Sequence, residues 1–257
     1  MINGSFKTGI VIQARSSSSR LPKKLLLPFF GLKSIIDILL INFKTYLHGE
    51  YDIVLATSNN KQDDIFVDIA DKYKMKLYRG PETDVLQRII NAADNYGFKN
   101  IIRVCPDNPI FDIKGTVELL KYHLKYDNDY TGYQLKGYLP SIKSHMGFWG
   151  EIVSLSALRR VHSETNKKIY LEHVTNYIYN HSEKFKVCFR DAPEVVYSRE
   201  DIRLTVDTKE DFFLMQEIYQ RLLKENIAFE VEQIIHFLDQ NPRYLLSMKN
   251  QIEINKK

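Results

Sequence analysis

The sequence predicts an α/β protein built on a largely parallel sheet, and three observations carry that prediction. Short β-branched runs alternate with segments whose apolar residues repeat at helical spacing. These segments are punctuated by glycine, serine, asparagine and proline, the residues that mark turns. With 257 residues, 44% of them hydrophobic, the chain can enclose one large core, and no repeat, low-complexity tract or linker divides it. One domain over residues 1–257 is expected, with an appended subregion over 132–190.

The first strand, Thr8 to Ala14, reads TGIVIQA and stops at a serine-rich, arginine-flanked loop, as a buried strand feeding a ligand loop does. After Gly31, residues Ile35, Ile36, Leu39, Leu40 and Phe43 recur at helical spacing. Asp52 to Thr57 (DIVLAT) is again strand-like, which completes a β-α-β unit. A helix around Asp63 to Tyr73, a strand at Lys76 to Tyr78, a helix from Asp84 to Tyr96 and a strand at Asn100 to Val104 follow. Strands alternating with helices in this way build a parallel sheet covered by helices.

From Gly132 to Ser144 the pattern breaks into GYQLKGYLPSIKS, and its two glycines and proline predict a loop or an excursion from the sheet. Helical spacing returns at Ser154 to His162 and Ile169 to His181, and FKVCF and IRLTV read as strands. Thr208 to Leu223 is a patterned helix after Asp207, and Val231 to Ile254 is helical and expected on the outside.

Composition removes several function classes. The net charge of +4, from 36 Lys and Arg against 32 Asp and Glu, comes without the basic block of a nucleic-acid binder. A small polyanion remains compatible as substrate. Cys105 and Cys188 lie far apart without C-x-x-C spacing, so neither a disulfide framework nor a zinc site is expected. The opening Met-Ile-Asn-Gly-Ser-Phe-Lys lacks the apolar stretch of an export signal, and no long uncharged run spans a membrane, so a cytoplasmic protein is expected.

The chemistry concentrates in Gln13 to Leu25, QARSSSSRLPKKL, which puts two arginines, two lysines and four serines directly after the first strand. Ligands of open α/β sheets bind outside the carboxyl ends of strands, where loop amides and cations hold phosphates. A solvated basic loop is the plainer reading of the same residues. The order is neither the G-x-x-x-x-G-K-[ST] of a P-loop nor the G-x-G-x-x-G of a dinucleotide fold, so a different triphosphate cradle is needed.

In these residues the chain resembles a known family. ARSSSSRLPKK is similar to the A-R-x-x-S-x-R-L-P-x-K signature of the cytidylyltransferases that make CMP-activated sugars. The full set looks most like the spore-coat polysaccharide cytidylyltransferases, relatives of the CMP-Kdo and CMP-sialate synthetases. The likeness continues in the family's order through DIVLATS, YRGPETDVLQR, IIRVCPDNPIFD, LEHVTNYIY and RLTVDTKEDF. It implies a three-layer, Rossmann-like nucleotide-diphospho-sugar transferase fold with a mostly parallel central sheet. It implies transfer of CMP from CTP to a sugar or sugar-like acceptor such as an ulosonic acid, for surface polysaccharide or glycan synthesis. Mg²⁺ is the implied cofactor, pyrophosphate the second product, and a homodimer is what relatives suggest.

Carried over position by position, the resemblance implies that Arg15, Arg20 and Lys24 contact the triphosphate, Arg20 and Lys24 serving catalysis. Ala14 and Ser19 would lie against the nucleotide, and Arg79, Gly80 and Asp84, followed by Arg88, resemble the family's nucleotide and acceptor loop. Asp107 and Asp207 become the Mg²⁺ ligands, and Glu172 and His173 resemble an acceptor-side motif. Tyr133, Tyr138 and His145, in the irregular middle segment, are candidates to stack on or hydrogen-bond the acceptor, or to cover a dimer surface. The chain departs from the family where Lys23 stands in place of the usual glycine, which leaves open which lysine meets the phosphates.

Plainer roles exist for several of these residues. Asp107 before Asn-Pro suits a turn, Asp207 suits a helix N-cap, Gly80-Pro81 with Asp84 suits a turn and helix start, and Glu172 and His173 flank core positions. Competing functions are a CDP-conjugate synthase acting on a phosphorylated sugar or alcohol, a nucleotidyltransferase using another base, and an idle binding protein of the same fold. A GT-A-type glycosyltransferase needs a D-x-D motif, for which only Asp127-Asn128-Asp129 is available, and KYDNDY reads as a loop. No nucleophile-base pair or G-x-S-x-G supports a hydrolase.

Overall fold

The computed structural model describes residues 7–255; residues 1–6, read above as lacking an export signal, lie outside them. In chain order the elements are β1 (Thr8–Gln13), β2 (Pro28–Phe30), β3 (Lys33–Ser34), α1 (Ile35–Leu47), β4 (Asp52–Ser58), α2 (Ile65–Tyr73), β5 (Lys76–Gly80) and α3 (Val85–Tyr96). They continue with β6 (Asn100–Val104), α4 (Ile113–Tyr126), β7 (Tyr130–Leu135), β8 (Leu139–Pro140), β9 (Glu151–Ser154), α5 (Leu155–Glu164), α6 (Lys168–Glu172) and α7 (Asn176–Asn180). The last are β10 (Val187–Asp191), α8 (Glu194–Tyr197), α9 (Lys209–Lys224), α10 (Val231–Asp239) and α11 (Pro242–Ile254).

β1 sits inside the sheet, parallel to β4 on one side (Gly9 opposite Asp52) and to β6 on the other (Ile12 opposite Val104). The strand order is β10-β7-β9-β6-β1-β4-β5, with β8 beside β7. β9 alone along this path runs antiparallel to its neighbours, so the sheet is mixed but mostly parallel. The chain winds outward from β1 through β4 to β5 and returns to β6 on the other side of β1. That reversal opens a crevice at the carboxyl ends of β1 and β6, the position at which such sheets bind ligands.

Both faces of the sheet are covered. Ile10 and Ile12 of β1 point into a cluster shared with α1, α4, α9 and α10, whereas Val11 points into a second cluster with α3, α5 and α7. Burial on both faces is why β1 is a continuous apolar run rather than an alternating one. Among the described residues, no helix is long and apolar enough to cross a membrane.

Local chemistry fixes where helices begin. At α1, Ser34 and Asp37 form a capping box, and the Asp37 carboxylate also accepts from Tyr73 Oη at 2.6 Å and Lys72 Nζ at 2.9 Å. Burial pushes Asp37 up, but the bonds from Ser34, Tyr73 and Lys72 outweigh it, and the carboxyl titrates at about 2 instead of 3.8. A depressed carboxyl contributes fully above its unfolded pKa and loses that contribution as pH falls toward the folded one. Asp37→Asn should therefore cost about 1–2 kcal/mol at neutral pH, and the gap to wild type in urea melts should shrink as pH falls from 4 toward 2. A gap independent of pH would contradict this account.

Four expectations are corrected. Gly132 to Leu135 belong to β7, a strand paired to β9 and β10, and the irregular path starts only at Lys136, where Gly137 takes φ +76°. Pairing to β10, with Gly132 opposite Phe189, outweighs the glycine's poor strand propensity. The helix expected over Ile169 to His181 is two short ones, α6 and α7, broken at His173 to Thr175. IRLTV pairs in no ladder: it is buried extended chain whose amides bond outward, Leu204 and Thr205 to the His145 carbonyl and Val206 to that of Asp107. The C-terminal helix is divided into α10 and α11 at Asn241-Pro242, proline being tolerated only at a helix start.

Candidate active site

The loop after β1 is built by carboxylates that hold its serines. Ala14 is fully buried and extends the β1–β4 pairing through its N–H to the Ala56 carbonyl. Asp63 is the anchor: its Oδ1 accepts from Ser16 N at 2.7 Å and Ser16 Oγ at 2.6 Å, and its Oδ2 from Ser58 Oγ. Ser17 Oγ donates to Glu82 at 2.7 Å, which joins this loop to the turn between β5 and α3. The Ser16 carbonyl accepts from Lys23 N at 3.2 Å, closing the loop on itself.

That closure aims Lys24 inward. Its side chain is 11% exposed, and its ammonium donates to the Val206 carbonyl at 2.6 Å and lies 3.1 Å from Asp207 Oδ1 and 3.5 Å from Asp107 Oδ1. Arg20 reaches the same Asp207 oxygen at 2.9 Å. Two carboxylates far apart in sequence thus converge on one cation, because Val206 N–H bonds the Asp107 carbonyl at 2.8 Å and sets the two chain segments side by side. Burial pushes Asp207 up, but the charges of Lys24, Arg20 and Arg203 outweigh it and hold the carboxyl below its ordinary range. Such a pair of hard oxygen donors suits a divalent cation that also binds phosphate. Among the described residues no third His, Cys, Asp or Glu joins them to make a metal cluster.

Behind Asp207 stands a buried clamp. Arg203, fully buried in its side chain, pairs with Asp211 through Nε and Nη2, each at 2.7 Å, and lies 3.6 Å from Asp207 Oδ2. Asp211 in turn accepts from the backbone N–H groups of Asp207 and Thr208. Thr208, rather than Asp207, caps α9 in a box with Asp211, so the Asp207 carboxylate is left for the cleft. Arg203 Nη1 donates to His145 Nδ1 at 2.8 Å. Burial, then the Arg203 charge, lowers the pKa of His145. Since arginine cannot accept, the neutral imidazole carries its proton on Nε2.

Beside the carboxylates lies a cavity of about 650 Å³. Its walls include Arg20, Asp107 and Asp207 at one side, Ser141 to His145 from the loop after β7, and His173, Asn176 and Tyr179 from the α6–α7 region. Arg103 lies in the floor, paired with buried Glu151 at 2.5 Å. Gly147 comes into this wall at φ +65°, where a Cβ would meet Thr205 Cγ2 at 2.7 Å, so only glycine lets the wall approach. Arg20 of the basic loop and both carboxylates thus border one cavity.

The family profile described as cytidylyltransferase matches residues 9–249 of this chain. The chain belongs to the cytidylyltransferase family. It is 36% identical over 233 residues to an uncharacterized protein of Methanocaldococcus jannaschii, covering 91% of this chain and 90% of that one. It is 32% identical over 236 residues to the spore coat polysaccharide biosynthesis protein SpsF of Bacillus subtilis, covering 90% and 94%. Among solved structures, a cytidylyltransferase from Leptospira borgpetersenii superposes with a TM-score of 0.81 at 28% identity, over 93% of this chain and 97% of that one. A CMP:2-keto-3-deoxy-manno-octonic acid synthetase complexed with CTP superposes at 0.62 and 13% identity, over 84% and 99%, which shows the shared Rossmann-like fold. The protein is thus a CTP-dependent nucleotidyltransferase.

The structure of this cytidylyltransferase brings Arg20, Lys24, Asp107, Asp207 and His145 together, and His173 lines the same cavity. Ser19 is exposed on the β1 loop. Arg15 pairs with Glu172 at 3.0 Å, a tie between the β1 loop and α6. Asp84 caps α3 through Gln87 N, and Gly80 ends β5. Arg79 is held by the Ser58 and Asn60 carbonyls and by Asp64, so its charge supports the β4–β5 loops. Tyr133 is corrected: it lies in the core 4.5 Å from the Trp149 ring, its hydroxyl donating to the Gly115 carbonyl, because β7 turns that face toward α4. Tyr138 is exposed on a turn and does not line the cavity. Asp63 and Arg203 escaped sequence reading: one looks like a helix start, the other like one position of a strand.

The two lysines of the signature face opposite ways. Lys23 lines a separate cavity with Asp37, Gln62 and Asp68, while Lys24 reaches the carboxylates. Lys23 takes φ +57°, a left-handed conformation that glycine adopts without the strain a Cβ brings. Lys23→Gly should leave the melting temperature unchanged or raised, whereas β-branched Lys23→Val should cost about 1–2 kcal/mol. Equal stability of the two variants would show that the loop does not require this backbone conformation.

Proposed function

We propose that this cytidylyltransferase transfers CMP from CTP to a hydroxyl of a small acidic sugar, of the ulosonic acid type, with release of pyrophosphate. The observation that carries the reading is the convergence of Asp107 and Asp207 between the basic β1 loop and the 650 Å³ cavity. Triphosphate on the loop and acceptor in the cavity would meet at these carboxylates. The name of the Bacillus subtilis relative supports a place in surface polysaccharide synthesis. A cytoplasmic site of action follows from the use of CTP.

Mg²⁺ is the proposed cofactor, with Asp107 and Asp207 as its protein ligands; when bound it neutralises phosphate charge and polarises the α-phosphate. Arg20 and Lys24 exchange their ties to Asp207 for phosphate oxygens, so the cations neutralising the carboxylates come to neutralise the leaving pyrophosphate. The acceptor hydroxyl attacks the α-phosphorus in line, and positioning with electrostatics supplies the catalysis. His145, held neutral, offers an Nε2–H donor into the cavity rather than a base. We place acceptor recognition in 132–190, which contributes Ser141 to His145, His173 and Tyr179 to the walls. Exposed Tyr138 and Leu139 make the same subregion our candidate for a homodimer contact.

The test is pyrophosphate release with Mg²⁺, each of the four ribonucleoside triphosphates, and a panel of ulosonic acids and sugar phosphates. Release with CTP and an ulosonic acid is expected. Release with sugar phosphates only would replace the CMP-sugar by a CDP-conjugate as the product. Silence from every acceptor while CTP binds would remove the acidic-sugar reading.

A further inference from the structure

Arg15 and Glu172 join two parts of the site that lie 157 residues apart in the chain. Arg15 stands just past the end of β1 and donates from Nη2 to Glu172 Oε1 at 3.0 Å, with both side chains partly exposed. Glu172 is the last residue of α6, and His173 follows it directly. The two neighbours serve different sides: His173 lines the 650 Å³ cavity, whereas Glu172 is absent from its walls and meets the β1 loop. One peptide bond thus spans the loop read as the phosphate site and the cavity read as the acceptor site.

The segment that carries this pair is lightly held. α6 is five residues long, has no buried residue and no side-chain cap, and rests on half-buried Tyr170 and Leu171. Directly after it Val174 is fully buried, and Thr175 Oγ1 donates to buried Glu151 at 2.9 Å. The chain is therefore pinned at 174–175, and α6 can rock about that point while the Arg15 tie holds its end. Elements with few buried contacts are the ones that ligands displace at low cost.

We propose that the Arg15–Glu172 pair couples the two subsites: the triphosphate takes Arg15 from Glu172, the end of α6 is released, and His173 is free to turn toward the acceptor. The inference rests on the transferase reading above, which puts the triphosphate on the β1 loop, and it makes Glu172 a positioning residue. A triphosphate carries more charge than one carboxylate and offers a guanidinium paired oxygens, so it wins the exchange. The nucleotide must nevertheless break the pair, so Glu172 weakens its binding by what the pair contributes. By linkage, an acceptor that holds α6 away from Arg15 strengthens nucleotide binding by the same factor.

Calorimetric titration of CTP into wild type, Glu172→Gln, Arg15→Gln and the double variant, with amide hydrogen exchange over residues 168–173 measured with and without CTP, tests the proposal. Glu172→Gln should bind CTP more tightly, by up to about fivefold, the scale of one exposed ion pair. Arg15→Gln should bind it about tenfold more weakly, the scale of a charge-assisted hydrogen bond. In the Arg15→Gln background the Glu172→Gln change should alter CTP affinity little. Exchange over 168–173 should quicken when wild type binds CTP and be quick beforehand in Glu172→Gln. A gain in affinity that persists without Arg15 would be the general effect of removing a negative charge and would overturn the proposal. So would quicker exchange in Glu172→Gln with unchanged CTP affinity, the mark of a purely structural tie, or exchange in wild type that CTP leaves equal or slows. Failure of wild type to bind CTP would instead sink the transferase reading itself.

Discussion

Asp207→Asn is expected to lower turnover by about two to three orders of magnitude, the scale of losing one preorganised electrostatic group at a reacting centre. On the proposed reading Asp207 supplies half of the protein's grip on Mg²⁺, and Asp107→Asn should act alike. The loss should fall on kcat, with a raised Mg²⁺ requirement. Binding of CTP without metal should hold or tighten, because Arg20 and Lys24 lose the carboxylate that engages them and one negative charge no longer faces the triphosphate. The fold should survive: Thr208 caps α9, and Asp211 holds the Asp207 N–H whatever the Asp207 side chain. Activity and Mg²⁺ dependence equal to wild type in both variants would end the metal assignment.

Arg203→Met is expected to give the largest loss of stability, about 3–5 kcal/mol, the cost of stripping one partner from a buried ion pair. At this chain length that corresponds to a fall in melting temperature of roughly 10 °C. Asp211, only 2% exposed, would keep its charge without the bidentate partner. A double-mutant cycle with Asp211→Asn should show strong coupling, since the second change costs little once the pair is broken. His145 supplies an independent readout. With the Arg203 cation gone, its pKa should rise toward the ordinary histidine range, visible in the NMR titration of its ring protons. An unmoved His145 would show that burial alone sets its protonation.

Residues close in sequence were the legible part of the site. The β1 loop announced itself because its serines, arginines and lysines are contiguous, and Asp107 because it follows a strand directly. The α/β alternation was readable for the same reason: a strand buried on both faces and a helix buried on one leave their period in neighbouring residues. Where that reading failed, pairing was the missing information. Gly132 to Leu135 look like a loop alone but are a strand when β10 and β8 pair with them. Ile202 to Val206 look like a strand but find partners only in the His145 and Asp107 carbonyls.

The sequence by itself determined the layered α/β fold, the family and the loop on which phosphates are proposed to rest, because local periodicity and contiguous motifs specify these. Only the tertiary structure decided that Lys24 and not Lys23 faces Asp107 and Asp207, that Thr208 rather than Asp207 caps α9, and that Tyr133 belongs to the core. It also decided that Arg203 stands behind the site and that Glu172 meets Arg15 instead of the cavity. The physical reason is common to all of them. Each is set by a partner far away in sequence, brought near by the switch of the chain across β1 and by the crossing of residues 202–206 over the strand ends.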